Sequence, residues 1–201
     1  MTKLFIFSTF LLCVWSTVAQ GFSTTARTAL VIDNTTGEVL LSKDINRPIP
    51  PASMSKLMTL WMVFESLDEG KIEMHDTFKV SRKAWEKGGS KMFLREGESV
   101  KIRDLIKGVI IQSGNDACIV LAEGLAGTEE NFAELMTIRA KEIGLTNSIF
   151  KNSTGWPDPE HKMSSKDLVT LATKIREEYP SYYEIFNDLE FTWDGISQRN
   201  R

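Results

Sequence analysis

Pro50-Pro51-Ala52-Ser53-Met54-Ser55-Lys56 runs without a break into Leu57-Met58-Thr59-Leu60-Trp61-Met62-Val63-Phe64, and no other stretch constrains the fold as tightly. The prolines fix an extended lead. The helix formers after them predict a helix that begins near Ser53 and stops near Gly70. Apolar side chains stand all round this helix, so it must be buried and other elements must wrap it. Ser53 and Lys56 are one turn apart and share a face with Leu57, Leu60 and Phe64. A lysine on the core side of a buried helix is costly unless it has a task or a partner.

The task that fits is nucleophilic catalysis. A serine hydroxyl is a weak nucleophile until a neighbouring base takes its proton. Lysine can be that base only when neutral, and a free lysine titrates near ~10.4. Lowering this to about 7 requires roughly 4–5 kcal/mol, at ~1.4 kcal/mol per unit. A helix N-terminus supplies at most ~2 kcal/mol of that. Burial and a second cation must provide the rest. The bland reading is a helix cap with a snorkelling lysine, and these residues alone leave both readings open. A second copy, Ser148-Ile149-Phe150-Lys151, shows how little the pattern means by itself. It runs into Asn152-Ser153-Thr154-Gly155-Trp156-Pro157, a loop, and so lacks the helix this chemistry needs.

Residues 1–19 read as a signal peptide. Lys3 is the positive region, Leu4 to Trp15 an apolar run too short to span a bilayer, and Thr17 and Ala19 are small residues before a cut after Ala19. Cys13 lies inside that run, which leaves Cys118 alone in the exported chain and no intrachain disulfide to form. The rest, residues 20–201, suits one soluble domain held by its core. A net charge of −3 with no basic run argues against nucleic acid as a partner.

Along that chain, Thr28–Asp33 and Glu38–Ser42 read as a hairpin about Asn34-Thr35-Thr36-Gly37. The polar segment from Ser81 to Arg95 reads as a surface loop. Ile102, Leu105, Ile106, Val109 and Ile110 recur at helical spacing. Their helix ends at Gln112-Ser113-Gly114-Asn115-Asp116, and an apolar helix carrying Cys118 follows. Thr128 and Ser164 are caps for two more helices, and Phe191-Thr192-Trp193 is a strand entering a turn. The class is α+β, with helices packed on an antiparallel sheet whose missing strands are expected past Arg201.

Ser113-Gly114-Asn115 is a polar break between two apolar helices. It is either a plain linking turn or a site where a serine relays protons and an amide holds a substrate carbonyl. His161, in a proline-bounded loop, reads either as lining a cleft or, in preference, as solvated. With His75 it offers no metal-ligand spacing, so no metal or cofactor is expected.

Taken together, the Ser53–Lys56 helix, the Ser113-Gly114-Asn115 turn and the export signal resemble the serine D-alanyl-D-alanine carboxypeptidases. These are the low-molecular-mass penicillin-binding proteins of peptidase family S11. The likeness runs from Thr28 to the end and includes Thr36-Gly37-Glu38-Val39-Leu40, Pro50 to Leu60, Met92-Phe93-Leu94 and Gln112 to Leu121. It implies a DD-peptidase/β-lactamase-like fold, Ser53 as acylated nucleophile and Lys56 as its general base. It further implies that Ser113 relays protons and that the Asn115 amide binds substrate. The implied substrate is a peptidoglycan stem peptide ending in D-Ala-D-Ala, with β-lactams as covalent inhibitors, in the periplasm at the outer face of the inner membrane. The family's Lys-Thr-Gly motif and its membrane-binding C-terminal helix do not occur in these residues and are expected beyond Arg201. The alternatives are a class A-like β-lactamase and a catalytically dead penicillin-binding scaffold. The first needs Glu-x-x-x-Asn, and Glu160 has Ser164 four residues on. On this reading residues 20–201 alone are poorly folded and inactive.

Overall fold

The computed structural model describes residues 23–200; the segment read as a signal peptide lies outside them. The expected hairpin forms from β1 (Ala29–Ile32) and β2 (Val39–Lys43), antiparallel, with Val31 opposite Leu41 and an irregularity at Ile32. Its turn is fixed locally. Asp33 Oδ1 accepts the N–H groups of Thr35 at 2.7 Å and Thr36 at 2.9 Å, and Gly37 takes a positive φ of 75°.

The buried helix α1 (Lys56–Asp68) is entered through a 3₁₀ turn over Ala52–Ser55, so the helical run starts where the prolines end but tightens before it becomes α. Met58, Trp61, Val63 and Phe64 are fully buried on it. Gly70, at φ 66°, closes its C-terminal end. Around α1 pack α3 (Ile102–Gln112), α4 (Asn115–Ala126), α5 (Glu129–Glu142) and α6 (Ser165–Glu178). The caps of α5 and α6 are as expected: Thr128 Oγ1 accepts from Asn131 N and Ser164 Oγ from Asp167 N. The short α7 (Pro180–Tyr183) starts at the proline that stops α6, and Trp61 meets Tyr179 edge-on at 5.0 Å. Cys118 is a fully buried free thiol in the core of α4.

The segment from Ser81 to Arg95 is not the surface loop its polarity suggests. It opens with a one-turn helix, α2 (Arg82–Glu86), capped by Ser81, and buries Ala84, Met92 and Leu94. Five residues are too few to display a helical period, and the burial depends on a partner far along the chain, Asp116. The ribbon β3 (Thr77–Lys79) with β4 (Ser99–Lys101) flanks this segment. The strand expected at Phe191–Trp193 is β5 (Glu190–Trp193), which turns at Asp194-Gly195 into β6 (Ile196–Arg199). The class is α+β; among the described residues the strands pair as three separate two-stranded ribbons, and β1 lies against α6.

Candidate active site

Ser53 is exposed on the 3₁₀ turn, and Lys56, one turn on, is buried at 4 % exposure. Ala52 holds a left-handed φ of 49°, and its carbonyl accepts from Ser55 Oγ at 3.1 Å, which tightens the turn beneath the serine. Lys56 Nζ lies 2.9 Å from Ser53 Oγ and 2.9 Å from the Thr154 carbonyl oxygen. Burial pushes the Lys56 amine below its ordinary pKa. Cys118 would oppose this if it were a thiolate. Burial drives that thiol up to about 12, so at neutral pH it is uncharged and leaves the effect of burial standing. Burial is thus one of the two contributions that the sequence argument requires.

The carbonyl beside Lys56 belongs to a loop built by Asn152. Its Oδ1 accepts from the backbone N–H groups of Thr154, Gly155 and Trp156. Gly155, at φ 78°, brings this loop directly onto Ala52. On the other side of the site, Ser113 ends α3 in the left-handed region at φ 52°, half buried. Asn115 begins α4, and its Nδ2 donates to Gly88 O at 2.8 Å while its N–H donates to Ser90 O at 2.8 Å. The buried Asp116 carboxylate accepts from Met92 N, Leu94 N and Ala117 N and so ties the segment after α2 to this turn.

Of the four candidate residues, the structure joins Ser53 and Lys56 directly. Asn115 meets their loop through shared neighbours: a Cβ on Gly89 would stand 2.7 Å from Asn115 Nδ2 and 3.2 Å from the Trp156 ring. Lys87 sits 4.1 Å above that same ring. Asn152, Thr154, Gly155 and Asp116 escaped the sequence reading. The Asn-x-x-Gly turn signal was visible, but nothing local tied it to Lys56, which is 98 residues away along the chain.

Three other sequence expectations meet the structure here. Ser148 donates to Asp167 Oδ2 at 2.8 Å and Lys151 pairs with Glu160 at 2.9 Å, so the second Ser-x-x-Lys is split between two unrelated contacts and lies in no helix. Glu160, the candidate lactamase-type acid, is exposed in that pair. His161 is buried at 2 % exposure, not solvated. The bridges Ile49–Met163 and Ile149–Lys162 draw its loop inward, and its Nδ1 accepts from Lys151 N at 3.3 Å.

Comparison with known proteins places the chain among relatives of one family. The family described as D-alanyl-D-alanine carboxypeptidase, peptidase S11, matches residues 15–201. The chain is 39 % identical over 175 residues to the D-alanyl-D-alanine carboxypeptidase DacF of Bacillus subtilis, covering 87 % of this chain and 44 % of that one. It is 38 % identical over 204 residues to DacC of Escherichia coli, covering 98 % and 51 %. Its fold is similar to crystal structures of penicillin binding protein 5 from Haemophilus influenzae, with a TM-score of 0.84 at 34 % identity over 89 % of this chain and 53 % of that one. The chain spans about half the length of the curated relatives it matches.

Proposed function

The chain belongs to peptidase family S11, the D-alanyl-D-alanine carboxypeptidases, and from that premise we propose that it carries the acylating half of a serine DD-carboxypeptidase site. Ser53 Oγ attacks the carbonyl carbon of the penultimate D-alanine in a peptidoglycan stem peptide. Lys56 takes the hydroxyl proton as the C–O bond forms. The peptide C–N bond breaks, and terminal D-alanine leaves with a proton on its nitrogen. Water then cleaves the Ser53 ester and restores the hydroxyl. Ser113 passes protons between Lys56 and the leaving nitrogen, and the Asn115 amide holds a substrate carbonyl. The Ser53 N–H is one oxyanion donor, with a second expected on a strand outside this chain. β-Lactams acylate the same serine.

The observation that carries this reading is the Lys56 amine, buried and depressed in pKa, 2.9 Å from Ser53 Oγ. The lactamase alternative is disfavoured by Glu160, which is exposed and occupied by Lys151. The experiment uses the protein as its gene encodes it. It should release D-alanine from a pentapeptide, carry penicillin on Ser53 by peptide mass, and turn over a chromogenic cephalosporin slowly. Turnover of order 10² per second, that of an efficient enzyme, would favour the lactamase; penicillin on Ser53 with no D-alanine release would favour the scaffold.

The site of action follows from the substrate, which is outside the cytoplasm. We assign residues 1–19 to a signal peptide removed after Ala19, and membrane attachment to a C-terminal amphipathic helix outside this chain. No helix of the described residues is long and apolar enough to cross a membrane. Intact mass of periplasmic material checks the cut, and retention of Met1 to Ala19 would overturn it.

A further inference from the structure

We propose that Glu129 is a positioning residue for the Ser53–Lys56 pair, acting through the Ser153–Thr154 backbone that holds the lysine amine; this rests on Lys56 being the base. Glu129 is the first residue of α5 and is 5 % exposed. Its Oε1 accepts from Ser153 N at 3.1 Å and from Ser153 Oγ at 2.8 Å. Its Oε2 pairs with Lys83 Nζ, on α2, at 2.9 Å. Residue 153 is therefore held twice, through its N–H and its hydroxyl, by one carboxylate oxygen, and it is itself fully buried.

From there the contact continues to α1. The Ser153 carbonyl accepts from Thr59 Oγ1 at 2.7 Å, and the next carbonyl, that of Thr154, accepts from Lys56 Nζ at 2.9 Å. One carboxylate holds the loop from the α5 side, and two successive carbonyls hold α1 from the other. The position of the Thr154 oxygen matters because a neutral amine has a single lone pair. Rotation about Cε–Nζ has three staggered wells. Donating one N–H to Thr154 selects among them, and leaves the lone pair free to face the Ser53 hydroxyl 2.9 Å away. A loosened loop lets the amine turn, and the proton acceptor is then aimed only part of the time.

The ordinary reason for an acid at this place is the helix N-terminus, but α5 is already capped by Thr128. Glu129 instead reaches across to residue 153. Taking a carboxylate out of water is unfavourable unless its bonds are specific, and an apolar side chain would fill the same volume without that cost. The carboxylate is used here to fix a peptide plane.

The test measures penicillin acylation of the protein as its gene encodes it, separating the noncovalent binding constant, the acylation rate constant and the stoichiometry of labelling. Glu129→Ala is expected to lower the acylation rate constant about 10–100-fold and leave the binding constant within about threefold. Glu129→Gln keeps an oxygen facing Ser153 and should rescue the rate to within about threefold of wild type. Ser153→Ala, which removes only the hydroxyl contact, should cost about 3–10-fold alone and nothing further in the Glu129→Ala background. It also stands in if Glu129→Ala does not fold. A merely structural role would reduce the fraction of protein that labels while the remainder reacted at the wild-type rate, and that result would overturn the proposal. So would equal losses in Glu129→Gln and Glu129→Ala. Labelling that survives Ser53→Ala would instead remove the catalytic reading itself, and this proposal with it.

Discussion

Gly155 rests directly on Ala52: a Cβ at position 155 would stand 1.9 Å from the Ala52 carbonyl oxygen and 2.6 Å from Ser55 Oγ. Two loops that are far apart in sequence are thereby pressed together immediately beneath Ser53. Gly155 also holds a φ of 78°, which L side chains rarely adopt.

Gly155→Ala is therefore expected to destabilise the protein by roughly 2–4 kcal/mol, overpacking and backbone strain combined. Because the displaced loop carries the Thr154 carbonyl, penicillin acylation should slow by more than the unfolded fraction explains. Denaturant unfolding and the acylation rate, measured on one preparation, check both parts. A substitution that leaves the unfolding midpoint unchanged would mean the two loops are not in contact.

Much of this fold is legible in the chain because it is written locally. The apolar period of α3, the caps Thr128 and Ser164, the glycine after α1 and the proline after α6 each act within a few residues. Ser53 and Lys56 are legible for the same reason, being one turn apart. What escaped reading is held by partners distant in sequence: Met92 and Leu94 by Asp116, Thr154 by Lys56, Ser153 by Glu129. His161 misleads because a loop with two prolines and two acids looks solvated, and only the bridges at 149 and 163 show it folded inward. The α+β class is readable from element order. That the described strands pair as three separate ribbons depends on tertiary contacts, which no single segment encodes.

The second Ser-x-x-Lys supplies a control. Ser148 spends its proton on Asp167 and Lys151 its charge on Glu160. In the protein as its gene encodes it, Ser148→Ala should keep wild-type penicillin labelling while losing about 1 kcal/mol of stability with the buried hydrogen bond. Ser53→Ala should lose labelling entirely. Gel fluorescence after incubation with a fluorescent penicillin distinguishes them, and labelling lost in Ser148→Ala but kept in Ser53→Ala would reverse the assignment.

His161 makes stability fall with acid. Burial pushes its pKa down to about 4 from the ordinary 6.5, so the folded state holds the neutral ring. Between those values the unfolded chain binds the proton and the folded one does not. Stability is then fully present above 6.5 and declines as pH drops toward 4. By pH 5 the loss from this residue is about 2 kcal/mol. Urea unfolding at pH 7.5 and pH 5, on wild type and His161→Gln, isolates it: the variant should show a drop smaller by about that amount. Equal drops would show that the ring titrates alike in both states.

Lys56→Met separates what the amine does for the reaction from what it does for the fold. Methionine has a similar reach and flexibility, so it fills the volume of the Lys56 side chain beside the 152–155 loop. It removes the burden of a polar amine at 4 % exposure, and it also leaves the Thr154 carbonyl without its donor, a loss of about 1–3 kcal/mol. These effects oppose each other, and the net change in stability is expected to lie within about 1 kcal/mol. Chemistry has no such compensation. Without a base 2.9 Å from Ser53 Oγ the hydroxyl keeps its proton, and acylation should fall about 10²–10⁴-fold, the usual worth of a general base. Raising the pH from 7 to 9 should not recover it, because the group that would deprotonate is gone. Unfolding midpoints and penicillin acylation rates at both pH values decide the matter. A folded Lys56→Met protein that acylates at the wild-type rate would show that the proton of Ser53 leaves by another route.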